Sequence, residues 1–278
     1  MNKLATEERV RVVSALVEGN SIRATSRMAG VAVNTVVKLL RDIGCACTEY
    51  QDKTLRNLKA KRVQCDEIWS FCYAKAANVP KAKQGKFGFG DVWTWVAIDA
   101  DTKLVPCWLV GLRDSGYATE FIRNLASRLS NRVQLTTDGH KAYVVAIEDS
   151  FAGEGIDFAQ LVKLYGPDQS SEIRYSPPQC VGCRKSKKIG NPDPKHISTS
   201  FAERQNLTMR MGMRRFTRLT NAFSKKVENL AHAVALHFMF YNFARVHQSI
   251  RVTPAMEAGV SDHVWEIEEI IALLEKSN

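Results

Sequence analysis

The chain has 278 residues, 45% of them hydrophobic and 24% charged, with a formal net charge of +10. That length supports one large domain with a substantial core and a small one beside it. No apolar run reaches the ~20 residues a membrane span needs, and the opening MNKLATEERVRVV has charges where a secretion signal needs its apolar segment, so a soluble, cytoplasmic protein is expected. The seven cysteines (45, 47, 65, 72, 107, 180 and 183) fit no small disulfide framework and are expected as reduced thiols.

Residues 4 to 43 read as helices broken at two points. Thr6-Glu7-Glu8 supplies a cap with acids in the first turn, and Val10, Val13, Leu16 and Val17 recur at helical spacing until Gly19-Asn20. Ser21 caps a second short helix, Ala29-Gly30-Val31 turns, and Asn34 to Ile43 forms a third. Two helices joined by a turn containing Gly form a helix-turn-helix, expected over residues 1–44, whose last helix would enter the major groove. Its exposed positions would include Asn34, Thr35, Lys38 and Arg41. A three-helix scaffold without DNA contacts is the plainer alternative. Residues 45–60 are polar and read as a linker, partly helical.

From Lys61 the pattern changes to strands. KRVQCDEIWSF (Lys61 to Phe71) is an apolar run that contains two adjacent carboxylates, Asp66 and Glu67. A buried lone carboxylate costs several kcal/mol unless a metal ion, a cation or a proton compensates it. A strand cap or a pairing with a surface Arg is the bland explanation for Asp66. The loop Lys81 to Gly90 holds GKFGFG, which lacks the flanking strand and helix of a nucleotide-binding turn and reads as a mobile hairpin loop. VWTWVAI (Val92 to Ile98) and Leu104 to Val110 form an antiparallel pair, Ser115 to Leu129 a helix, and Val133 to Thr137 a fourth strand ending in Asp138-Gly139. Adjacent first and fourth strands would bring Asp66 and Asp138 together.

Lys141 to Phe151 reads as a helix. Residues 152–199, with Pro167, Pro177, Pro178, Pro192 and Pro194, read as an irregular insertion. Cys180-x-x-Cys183 has zinc-ligand spacing, although the second pair of ligands is missing nearby. Positions 184 to 226 hold twelve Lys or Arg against Asp193 and Glu203, a block that suits a polyanion or forms a solvated basic loop. A helix capped by Ser198-Thr199-Ser200 would carry Glu203, with Arg210 and Arg214 within about 20° of it on one face, followed by Arg215. Asn221 to Phe243 is a strong amphipathic helix whose His232 and His237 belong to its polar face or core edge. Ser261 to Glu275 is a final acidic helix, packed on the domain or on a second subunit.

Clustered carboxylates repel one another unless divalent cations bridge them. Hard oxygen ligands suit two Mg²⁺ or Mn²⁺ ions, which serve phosphoryl transfer. The motifs CDEIW around Asp66, TTDGH around Asp138 and HISTSFAERQNLTMRMGMRRFTRLTNAFSKK around Glu203 resemble those of bacterial insertion-sequence transposases of the DDE class, most of all the IS1-like ones. The ending YNFARVHQSIRVTPAME resembles the close of retroviral-integrase-like domains. The resemblance implies an α/β, ribonuclease-H-like mixed sheet flanked by helices over residues 61–258, followed by a C-terminal helix over 259–278. It implies cutting at terminal inverted repeats and transfer of 3′ ends to target DNA by an oligomer, a dimer or larger, working near the nucleoid. Asp66, Asp138 and Glu203 would hold the metals, and Arg210, Arg214 and Arg215 would grip phosphates. Glu67, His140, Gln205 and His247 are second-rank candidates with structural roles as alternatives. The Asp138–Glu203 interval is longer than in many relatives, so the insertion at 152–199 should loop out of the core. A DNA-binding regulator with a non-catalytic domain, or a metal-dependent nuclease without strand transfer, fits the same residues.

Overall fold

The computed structural model describes residues 4–151, 155–166, 180–217 and 220–276. Three helices open the chain: α1 (Thr6–Val17), α2 (Ile22–Ala29) and α3 (Val33–Thr54). Ser21 caps α2 through its hydroxyl, which accepts from Ala24 N, and Gly30 ends α2 in the left-handed region (φ 70°). The helical part of the segment expected as a partly helical linker is the end of α3, whose 22 residues carry the helix on through residues 45–54. Its apolar face continues past Ile43 through Ala46 and Cys47, and polar side chains on the opposite face hide that continuation from a composition-based reading.

The strands follow: β1 (Arg62–Cys72), β2 (Gly90–Asp99), β3 (Trp108–Gly111), then α4 (Ser115–Ala126), β4 (Gln134–Thr137), α5 (Ala142–Ser150), β5 (Asp157–Tyr165) and β6 (Cys180–Ile189). They form one mixed sheet in the order β3-β2-β1-β4-β5-β6. β1 pairs antiparallel with β2 and parallel with β4, and β5 continues parallel to β4. This is an α/β sheet flanked by helices, in keeping with a ribonuclease-H-like domain. The expected looping-out of 152–199 does not hold for the described residues: β5 and β6 extend the sheet as an antiparallel pair. The prolines that suggested irregularity lie outside those strands, with Pro167, Pro177 and Pro178 outside the described residues. β6 conceals itself because an edge strand exposed along most of its length carries lysines rather than alternating apolar residues.

The remaining helices are α6 (Ser200–Gly212), α7 (Val227–Met239), α8 (Pro254–Glu257) and α9 (Ile267–Lys276), with a π-turn at Phe240–Ala244. The amphipathic helix therefore begins later than Asn221 and the last helix later than Ser261. One core cluster joins Val12, Val36, Ile43 and Cys47 of the N-terminal helices to Leu236, Met239, Phe243, Ile270 and Ile271. So α9 packs on its own chain. Two further clusters cover the faces of the sheet, one beneath α4 and α5, the other beneath α6 and α7.

Polar contacts lock the N-terminal helices to the sheet domain. Arg128, 5% exposed, donates to the carbonyls of Gln51 and Leu55 at the end of α3 and to Asp52 Oδ1 at 2.7 Å, a cation placed at a helix C-terminus. Gln51 Nε2 donates to Ala235 O of α7, and Asn242 exchanges two hydrogen bonds with the backbone of Val105. At Gly44, α3 crosses α7 so closely that a Cβ would lie 2.5 Å from that of His232.

Candidate active site

The site begins with the register of two strands. Cys65 lies opposite Thr137 in the parallel pair β1–β4, so the next residues, Asp66 and Asp138, leave the ladder side by side. One oxygen each of Asp66, Glu67 and Asp138 lie within 4.8 Å of one another. Among the described residues this is the group of acidic, His or Cys side chains able to hold a metal ion; Cys180 and Cys183 sit exposed on β6.

Alternation along β1 sends Asp66 and Glu67 to opposite faces. Gln64 and Asp66 face α6. Gln64 Oε1 accepts from the backbone N–H groups of Phe201 and Ala202, at 2.8 and 3.2 Å, at the start of that helix, and Asp66 Oδ2 accepts from Asn206 Nδ2 at 2.9 Å. The strand of the first acid thus fixes the position and rotation of the helix that carries Glu203. Asp66 Oδ1 accepts from Glu67 N at 2.8 Å. Burial foremost, then the charges of Asp138 and Glu203, push the Asp66 carboxyl up to about 6.

Glu67 faces α4 and α5 and is 7% exposed. Arg113, in the loop after β3, donates through Nε to Glu67 Oε2 at 2.9 Å and through a terminal nitrogen to Asp138 Oδ2 at 3.3 Å. Its guanidinium also lies over the Trp93 ring, 5.0 Å from the centroid. Burial and the Asp138 charge push the Glu67 carboxyl up to about 7, against the pull of Arg113. The Tyr143 hydroxyl lies beside the Glu67 carboxyl and draws its pKa down, and His140 Nε2 on the same side of the sheet is buried without a hydrogen-bond partner. Asp138 itself is held by a tight turn: its Oδ1 accepts from His140 N at 2.9 Å, while Gln160 Nε2 on β5 donates to the carbonyls of Asp138 and His140. His140 stacks on Trp95, and burial lowers its imidazole pKa.

Glu203 stands apart from the three-acid group. Its Oε2 accepts from Lys163 Nζ of β5 at 2.5 Å and its Oε1 from the Thr199 hydroxyl at 2.7 Å. The shared face expected for Glu203, Arg210 and Arg214 is broken, because α6 ends at Gly212 and Met213 is extended (φ −126°, ψ 108°). Arg214 and Arg215 fall on a separate short turn, Arg214–Phe216, while Arg210 remains on α6. Gln205 is buried with its Nε2 unpartnered, and His247 lies in the turn after the π-helix, its Nδ1 3.0 Å from the Ser249 hydroxyl. In the N-terminal helices, Asn34, Lys38 and Arg41 are exposed and Thr35 half-buried; Lys38 pairs with Asp42 at 2.5 Å. Sequence reasoning missed Arg113, Asn206, Lys163 and Gln160. Only Asn206 left a trace, three positions beyond Glu203 and so nearly on its helical face.

No protein-family model and no curated protein matches the chain. Solved structures do. The chain is similar to the Mos1 strand transfer complex at 13% identity over 57% of this chain and 59% of that one, with a TM-score of 0.26. The Mos1 transposase paired-end complex with left transposon end matches at 13% over 57% and 60%, with a TM-score of 0.25. The piggyBac transposase synaptic complex with hairpin DNA matches at 10% over 99% and 73%, with a TM-score of 0.39. The chain spans about three-fifths of the length of the Mos1 chains. At these scores the likenesses say nothing about chemistry. Among the described residues no helix is long and apolar enough to cross a membrane.

Proposed function

We propose that the chain is a DDE transposase of the IS1-like kind, cutting DNA at the terminal inverted repeats of an insertion sequence and joining the 3′ ends to target DNA. The observation that carries this reading is the parallel register that sets Asp66 beside Asp138, with Glu67 against both. The donor set fits a hard divalent cation. It is all carboxylate oxygen, with one oxygen each of Asp66, Glu67 and Asp138 within 4.8 Å of one another, and the acids already draw the cationic groups of Arg113 and Lys163 to themselves. Asp66, Asp138 and Glu203 would hold two Mg²⁺ or Mn²⁺ ions, with Glu67 as a neighbouring donor. Such ions supply activation of a water or 3′-hydroxyl nucleophile and stabilisation of the leaving oxygen.

The chain's own residues prepare that chemistry. Asn206 orients the Asp66 carboxylate, Gln160 fixes the turn that presents Asp138, and Arg113 keeps Glu67 and Asp138 from repelling each other apart. Lys163 would release Glu203 when a metal replaces its charge. The helix-turn-helix of α2 and α3 would present Asn34, Thr35, Lys38 and Arg41 to the major groove. Arg210, Arg214, Arg215 and the lysines of β6 would take phosphates, and paired ends would call for a homo-oligomer. The protein would then work at the nucleoid.

A cleavage and strand-transfer assay on DNA carrying the element's ends, with Mg²⁺ or Mn²⁺, tests this. Joined products lost in both Asp138→Asn and Glu203→Gln, with DNA binding retained, are expected. Nicking without joining would make the protein a nuclease. Binding without cleavage in any metal would make it a regulator.

A further inference from the structure

Between the N-terminal helices and residues 212–215 and 220–225 lies a recess of about 800 Å³, within the ~300–1,000 Å³ of small-ligand sites. Its lining is chemically mixed: Val33 and Val37 of α3 and Phe223 give it apolar surface, while Arg214, Arg215 and Lys225 give it positive charge.

Arg215 points to the sign of the ligand. Burial lowers its guanidinium to about 10, it donates to the Ser224 hydroxyl at 2.5 Å, and none of the ion pairs among the described residues includes it. A sunken cation without a counter-charge is costly until an anion completes it. His237 is the second, independent sign. It lines the same recess, is 6% exposed, and its Nε2 is buried with no hydrogen-bond partner. Burial holds its imidazole down at about 3, so at neutral pH it offers a hydrogen bond without charge. The first residues of α3 line the recess too, and Ala32 at the cap of that helix offers its first N–H groups no side-chain acceptor.

A fully paired duplex could satisfy the arginines but would leave the apolar surface bare, as inorganic phosphate would. An unstacked nucleotide brings a phosphate, a flat apolar face and a hydrogen-bonding edge together. We propose that this recess takes a single unstacked nucleotide, its phosphate against Arg214, Arg215 and Lys225 and its base against Val33, Val37 and Phe223. The amide of Asn229, also on the lining, is placed to meet the base edge. The nucleotide can come from a free mononucleotide or from an unpaired position in a DNA strand. Neither metal nor cleavage is needed, so the site stands or falls apart from the three acids.

The test uses the full chain in EDTA and fluorescence anisotropy with two short labelled duplexes, one fully paired and one with a single unpaired adenine nucleotide. dAMP serves both as a competitor and as a direct ligand. The unpaired duplex should bind about tenfold tighter, the scale of one stacked base. Val33→Trp, at a position 42% exposed where the core is untouched, should fill the recess and erase that ratio. Lys225→Gln should reduce it. A ratio with no dAMP binding assigns the DNA strand. Saturable dAMP binding that Val33→Trp abolishes assigns the free nucleotide. Equal binding of both duplexes with no dAMP binding overturns the proposal, and so does a ratio that survives Val33→Trp. Loss of paired-duplex binding would count against the helix-turn-helix reading, while the dAMP arm would still decide this one.

Discussion

At Glu67 the cost of gathering acids is concentrated. Its carboxyl, 7% exposed, binds its proton more tightly in the folded chain, the value rising from 4.5 to about 7. The folded state therefore holds more protons than the unfolded one between those values, and stability falls as pH rises through that window. The displacement amounts to about 3 kcal/mol of destabilisation at neutral pH. In EDTA, Glu67→Gln should match the wild type near pH 4 and exceed it by up to about 3 kcal/mol near pH 8, as read by urea unfolding. A constant difference across pH would show that Glu67 does not titrate in this way. Mn²⁺ should narrow the gap at pH 8 by binding the wild type. Asn206 acts through Asp66, so Asn206→Ala should weaken Mn²⁺ binding by ~10–100-fold, the usual cost of losing an outer partner of a ligand. Isothermal titration checks that, and unchanged affinity would remove Asn206 from the site. The adjacent acids in an apolar run were legible at this scale. Arg113 was not, since nothing local distinguishes an arginine in a loop until the fold sets it against Glu67 and Asp138.

Among the elements, α3 and α6 decide most. The close crossing at Gly44 leaves no room for a side chain, because the nearest atoms on α7 include backbone as well as the His232 Cβ. Ala is the better helix former by ~1 kcal/mol, yet Gly44→Ala should destabilise the chain by about 1–3 kcal/mol through overpacking. Denaturant unfolding reads the sign directly, and a stabilised variant would mean that the two helices separate freely. For α6, Gln64→Ala removes the acceptor for the Phe201 and Ala202 N–H groups and should cost about 1 kcal/mol, as a lost helix cap does. The helical periods of α1, α2 and α6 were legible in the sequence. The end of α6 was not, because MRMGMRRF keeps a helical period while the backbone turns extended at Met213.

For the whole molecule, the N-terminal helices are not free-standing. Their apolar faces share one core with α7 and α9, and Arg128 and Gln51 tie α3 to the sheet domain. A fragment of residues 1–60 should therefore fail to fold alone, giving a poorly dispersed amide spectrum and weak helical dichroism. A dispersed spectrum would establish an independent module. DNA contacts made by α3 would pass directly to the domain of the acids, since no flexible joint lies between them among the described residues.

The sequence by itself determined the helical start, the change to strands near Lys61, the hairpin of β2 with its neighbour, and the two aspartates at adjacent strands. Those features rest on local periodicity and on the cost of burying charge, both written in consecutive residues. Tertiary structure alone decided that β5 and β6 extend the sheet, that Glu67 joins Asp66 and Asp138, and that Lys163 holds Glu203 aside. Each of these is a contact between residues far apart in the chain, made when packing brings them together, and so leaves no period or spacing to read.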